Sequence, residues 1–239
     1  GALPAPQAGV DPAFDPALVP ADCDLVALAR RLAAPGAPRA VSLLLSGPPG
    51  TGKSAYARYL ADMIGVPAVQ KRASDLLGPY VGQSEARIAE AFAEARDSGA
   101  LLIFDEADSL LGDRRGAHQG WEVTQVNEML TWMESHPLPF VCTTNLADRL
   151  DPASMRRFLI KARFRYLDAA QAEAAFRRFF GMAAPAELLR LRALTPADFA
   201  LVTRRAALID PAPDAAGLMA LLAAESEARE GARAIGFTA

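Results

Sequence analysis

Residues Leu43 to Ser54 read LLLSGPPGTGKS, an apolar run that breaks into a glycine-rich turn and ends in Gly-Lys-Ser. Val41 to Ser46 has the character of a buried strand and Ala55 to Ile64 the spacing of a helix, so the turn must join a sheet to a helix. Gly47, Gly50 and Gly52 let the backbone curl without a Cβ clash, so that successive amide N–H groups face inward and the helix N-terminus adds partial positive charge. Gly47, four intervening residues and Gly52-Lys53-Ser54 fit the phosphate-binding loop pattern in its required context. The candidate nucleotide cradle is therefore Gly47, Pro48, Pro49, Gly50, Thr51, Gly52, Lys53, Ser54 and Ala55. Lys53 would reach the outer phosphates and the Ser54 hydroxyl would take a place on Mg²⁺.

The 239 residues, 51% of them hydrophobic, suffice for one nucleotide-binding core and a small accessory domain. No uninterrupted apolar stretch approaches the roughly 18 residues of a membrane span, and no charged-then-apolar leader opens the chain. Cys23 and Cys142 lie far apart without a CxxC or a His cluster, so neither a disulfide framework nor a metal centre is indicated and a reducing cytoplasm is expected. A net charge of −3 and a pI near 5.5 argue against a surface built broadly for nucleic acid. Residues 1–20 carry five prolines, at 4, 6, 12, 16 and 20, and read as a linker or arm. Gly1 in place of methionine is what a piece of a longer protein would show.

Beyond the arm, Leu25, Leu28 and Leu32 have helical spacing before the Pro35-Gly36 break. After the glycine turn, short strands and helices alternate: a weak strand over 68–71, a helix over 84–97, a buried strand over 100–104, a helix over 122–135 and a strand over 140–144. Such alternation predicts a parallel sheet covered by helices. Past Asp168 the strand signal disappears; Asp168 with Gln171, and Thr195-Pro196 with Asp198, are helix starts. The predicted domains are a nucleotide-binding α/β domain over 21–167 and a helical domain over 168–239.

Leu101 to Phe104 form an apolar strand that delivers Asp105 and Glu106 to its carboxyl end, where ligands bind in such sheets. Asp105 can hold Mg²⁺ through its water shell, and Glu106 can orient or deprotonate an attacking water. Val141-Cys142-Thr143-Thr144-Asn145 repeats the arrangement, with Asn145 placed to sense a γ-phosphate or help position the water.

Together these residues resemble the AAA+ ATPases, and within them the AAA branch that includes valosin-containing protein, FtsH, spastin and katanin. The resemblance runs from about Val41 to Tyr166 and rests on Gly47 to Ser54, Asp105-Glu106-Ala107-Asp108, Thr143-Thr144-Asn145, Leu150 to Phe158, and Ser74 to Glu85. It implies a P-loop NTPase with a five-stranded parallel sheet, a small C-terminal helical lid, and a homo-oligomeric ring, usually a hexamer, with ATP and Mg²⁺ between subunits. Arg157 falls where the family places an arginine finger, a cation that stabilises the neighbour's transferring phosphoryl group. Relatives often carry a second arginine three residues on, where this chain has Ile160 and then Lys161; either Arg156 or Lys161 substitutes or there is one finger only. Relatives that thread polypeptide present a basic residue followed by an aromatic, whereas this chain has Pro79-Tyr80, with Tyr80 retained to grip an extended chain. The 112–120 stretch reads as a second pore-facing loop in which His118 is a solvated residue, and Arg204 and Arg205 read as surface arginines.

These features imply Mg²⁺-dependent ATP hydrolysis that remodels or unfolds protein partners, with no nucleic acid and no membrane segment expected. Two alternatives stay open: a DNA-associated AAA+ motor of the clamp-loader or branch-migration type, and an ATP-binding switch with little turnover. An Asp-Glu-Ala-Asp helicase is disfavoured, because the chain lacks room for a second complete RecA-like domain.

Overall fold

The computed structural model describes residues 14–78, 80, 82–112, 120–209 and 213–234, without the side chains of 120–123 and 229–234. Pro79 and the loop bearing His118 lie outside the described residues. The chain divides into two compact units: one takes in Ala21–Gly47 and Lys53–Arg163, the other Asp15–Pro20, Pro48–Gly52 and Phe164–Ala239.

The first unit runs α1 (Leu25–Ala33), β1 (Ser42–Ser46), α2 (Lys53–Ile64), β2 (Ala68–Arg72), α3 (Ala73–Leu76), α4 (Gln83–Ser98), β3 (Leu101–Asp105), α5 (Gly120–Ser135), β4 (Phe140–Thr144), α6 (Pro152–Arg157) and β5 (Ile160–Arg163). The five strands form one sheet in the order β2-β3-β4-β1-β5, and every pairing is parallel. The five-stranded parallel sheet implied by the resemblance is thus the one observed. β1, β3 and β4 are buried almost throughout, as strands with helices on both faces must be. The edge strands differ: β2 carries Lys71 and Arg72, and β5 carries Lys161 and Arg163, charges that discourage pairing with a further strand.

Helix spacing follows the same logic. α2 buries Lys53, Tyr56, Ala57, Leu60 and Ala61 along one stripe, and α4 buries Ile88, Ala91, Phe92 and Ala95. Gly99, at φ 65°, ends α4 by returning its N–H to the Ala95 and Arg96 carbonyls. α2 begins two residues before the expected Ala55, at Lys53 itself. The sequence pattern assigns no helix to α6 and no strand to β5. α6 is started by Asp151, whose carboxylate accepts from the Ala153 and Ser154 N–H groups ahead of Pro152. β5 has alternating charged residues and takes its strand form from the hydrogen bonds of β1.

Phe92 organises this core. Its ring lies 5.2 Å from Phe104, 5.8 Å from Trp132, 5.0 Å from His136 and 5.9 Å from Phe140, joining α4 and α5 to the sheet. Met129 is buried, and Trp132 packs against the same core while its Nε1–H donates to Glu128.

The second unit is built on α7 (Ala169–Phe180), α8 (Pro196–Ile209) and α9 (Ala215–Ala234) around Phe176, Leu188, Phe199, Val202 and Leu222. Asp168 and Gln171 form a reciprocal capping box at α7, and Asp198 accepts from both the N–H and the hydroxyl of Thr195 at α8. Within this unit the Ala197 N–H donates to the Gly50 carbonyl at 3.2 Å. A Cβ on Gly50, which sits at φ +80°, would lie 2.8 Å from the Thr195 hydroxyl, so both backbone and space require glycine there.

Phe92→Ala should lower unfolding free energy by about 3–5 kcal/mol, seen as a lower urea midpoint with little change in slope.

Candidate active site

The glycine turn leaves β1 with Gly47 at φ 134° and enters α2 after Gly52 at φ 94°. Within it the Thr51 hydroxyl donates to the Pro48 carbonyl at 2.8 Å. Lys53 is 7% exposed, and its ammonium donates to the Gly47 carbonyl and to Asn145 Oδ1, each at 2.8 Å. Burial lowers the Lys53 pKa to about 8, against the opposing pull of Asp105, Asp108 and Glu106.

Asp105, at the carboxyl end of β3, collects three side-chain donors. The Ser54 hydroxyl donates to Oδ1 at 2.7 Å, the Thr143 hydroxyl to the same oxygen at 2.5 Å, and Gln70 Nε2 to Oδ2 at 3.0 Å. Gln70 in turn accepts from Arg58 Nε at 3.0 Å. The adjacent Ser54 and Asp105 oxygens are the hard donors that Mg²⁺ prefers, and one or two such groups suffice when substrate phosphates and water complete the shell. Among the described residues, no three His, Cys, Asp or Glu side chains form a protein-only metal cage.

Glu106 is exposed and takes a left-handed backbone conformation, φ 57° and ψ 47°, which for a residue with a Cβ costs about 1–2 kcal/mol. Its N–H donates to Thr143 Oγ1 at 3.2 Å. On β4 the Thr144 hydroxyl donates to Asp108, which also accepts from the Leu146 N–H at 3.3 Å, so the residues on either side of Asn145 are tied to the turn that follows β3.

The structure therefore pairs Lys53 with Asn145 and the adjacent Ser54 with Asp105, and Glu106 is tied to Asp105 through the Thr143 hydroxyl. Arg157 has partners elsewhere: its Nε donates to Glu134 at 2.6 Å and its guanidinium to the Ala153 carbonyl at 3.1 Å. Arg156 is exposed, and Lys161 donates to the Phe158 carbonyl. Tyr80 is 76% exposed. Arg204 and Arg205 are both exposed, the latter paired with Glu225. Gln70, Asp108 and Thr143 were given no role by sequence reasoning. Threonine in a strand signals only β preference, and Gln70 occupies the weakest strand; the one available signal was that Thr143 and Thr144 interrupt an apolar run directly before Asn145.

A model of the ATPase family associated with various cellular activities (AAA) matches residues 43–166. Among curated proteins, the ATP-dependent zinc metalloprotease FtsH 3 of Sphaerobacter thermophilus is 39% identical over 126 residues, covering 50% of this chain and 25% of that protein. The nuclear valosin-containing protein-like protein of Mus musculus is 37% identical over 119 residues, 48% of this chain and 14% of its own length. The YME1 homolog of Schizosaccharomyces pombe, another ATP-dependent zinc metalloprotease, is 37% identical over 129 residues, 50% of this chain and 18% of its own. The matched segment thus spans a quarter or less of these relatives.

Polyphosphate binding favours the charged lysine, so affinity for ATP should fall as pH rises through the Lys53 value of about 8. Calorimetric titration should show a decline approaching tenfold per pH unit above that point. A flat profile would show that burial does not bring Lys53 down to titrate in this range.

Proposed function

The chain belongs to the AAA family of ATPases, and from that premise we propose an Mg²⁺-dependent ATPase module that remodels or unfolds protein partners, its active site shared between neighbouring copies in a ring. The observation that carries this reading is the two hydrogen-bonded pairs at the start of α2, Lys53 with Asn145 and Ser54 with Asp105, with Glu106 next to the latter. Residues Gly47 to Ala55 hold the phosphates, with Lys53 neutralising the outer ones and the α2 N-terminus adding its dipole. Ser54 and Asp105 hold Mg²⁺, which when bound offsets charge on the transferring phosphoryl group. Glu106 orients and deprotonates the attacking water, and Asn145 positions the γ-phosphate or that water.

Arg157, at the end of α6, is the group offered to the neighbour's site, in the hexameric arrangement implied by the family. Tyr80 grips the polypeptide, its exposure supporting that use. The domain reading of an arm over 1–20, an ATPase domain over 21–167 and a lid over 168–239 belongs to this proposal. So does a cytoplasmic setting; among the described residues no helix is long and apolar enough to cross a membrane. Choice of substrate lies with regions outside the matched segment, consistent with the small share of each relative that it spans.

Lys53→Ala should abolish ATP binding, whereas Glu106→Gln should retain binding and lose about 10²–10⁴-fold in turnover. Arg157→Ala should lose about 10³–10⁵-fold in turnover with its own phosphate loop intact. Mixing Glu106→Gln protein, which keeps the arginine, with Arg157→Ala protein, which keeps the base, should restore partial activity. No recovery in mixtures shown by sedimentation to co-assemble would refute a shared site.

A further inference from the structure

We propose that Thr143 is a positioning residue through which a single hydroxyl sets both acids of the site, the metal-binding Asp105 and the water-activating Glu106. The inference rests on the functional reading above and adds a residue to it. Thr143 is 1% exposed at the carboxyl end of β4, next to the end of β3 that carries the two acids. Its hydrogen is given to Asp105 Oδ1 at 2.5 Å, and its oxygen receives the Glu106 N–H at 3.2 Å. A hydroxyl can do both at once because it is one donor and two acceptor lone pairs.

The two bonds address different needs. Asp105 Oδ1 also accepts from Ser54, so Thr143 fixes the carboxylate plane while the second oxygen is held by Gln70. At Glu106 the need is conformational: a left-handed residue with a Cβ persists only where its surroundings over-determine it, and the Thr143 oxygen anchors its N–H. Loss of the hydroxyl therefore removes a donor from the metal ligand and frees the backbone of the base in one step. Asp108 with Thr144 is a second tie between the same two strand ends, so the strands stay together without Thr143 while the acids lose their orientation.

Thr143→Val keeps shape and strand preference but lacks the hydroxyl, and Thr143→Ser keeps the hydroxyl but lacks the methyl. Affinity for a fluorescent ATP analogue, measured in EDTA and in Mg²⁺, reads the metal half of the proposal without turnover. Thr143→Val should bind the analogue normally in EDTA and lose about tenfold of the affinity that Mg²⁺ adds, with kcat down about 10–100-fold. Thr143→Ser should restore both to within about threefold. Matched circular dichroism and melting temperatures exclude misfolding as the cause. A Thr143→Val protein like the parent in Mg²⁺-dependent affinity and in kcat, or a Thr143→Ser protein as impaired as Thr143→Val, would overturn the role of the hydroxyl. Failure of the ATPase reading itself looks different: turnover insensitive to Glu106→Gln, whatever residue 143 is.

Discussion

β1, β3 and β4 lie in the middle of the sheet and are buried on both faces, so side chains along their length must be apolar. Polar chemistry can emerge only where a strand ends. Because every pairing is parallel, the carboxyl ends of all three fall on one edge, and β4 sits between β1 and β3. Ser54 and Asp105, 51 positions apart in the chain, thereby meet at 2.7 Å, and Lys53 and Asn145, 92 positions apart, at 2.8 Å. The same burial that forbids polar groups along the strands desolvates Lys53 and lowers its pKa. Sheet topology and site electrostatics thus have one cause.

That cause also decides what was legible in the sequence. Central strands announce themselves as apolar runs, and a polar residue at the end of such a run is conspicuous; Asp105, Glu106 and Asn145 were found this way, and Lys53 by the glycine spacing of the turn that follows β1. Edge strands lack the signal. β5 reads Ile160-Lys161-Ala162-Arg163 and becomes a strand because β1 offers a free side, a condition invisible in four residues. α6 was missed for a similar reason: its six residues are specified by Asp151 and Pro152 rather than by any periodicity. Family resemblance supplied the fifth strand where local pattern could not.

The supporting residues were illegible for another reason. Gln70, Asp108 and Thr143 act through hydrogen bonds to partners 35, 36 and 38 positions away, and no local pattern encodes such a pairing. The left-handed conformation of Glu106 is similarly hidden. Sequence usually marks that geometry with glycine or asparagine, but here a glutamate takes it with its N–H held by the Thr143 hydroxyl.

The pair between Arg157 and Glu134 governs how readily the guanidinium can change partners. Both side chains are partly open to solvent, 32% and 60%, and exposed ion pairs are worth only about 0–1 kcal/mol. Breaking a fully buried pair would cost about 3–5 kcal/mol, enough to keep the guanidinium at home. Glu134 is thus a berth rather than a lock: it keeps the long side chain of Arg157 from sampling every rotamer, and it gives the guanidinium up at little cost to a more highly charged anion. Because the pair is open to solvent, ionic strength loosens it further.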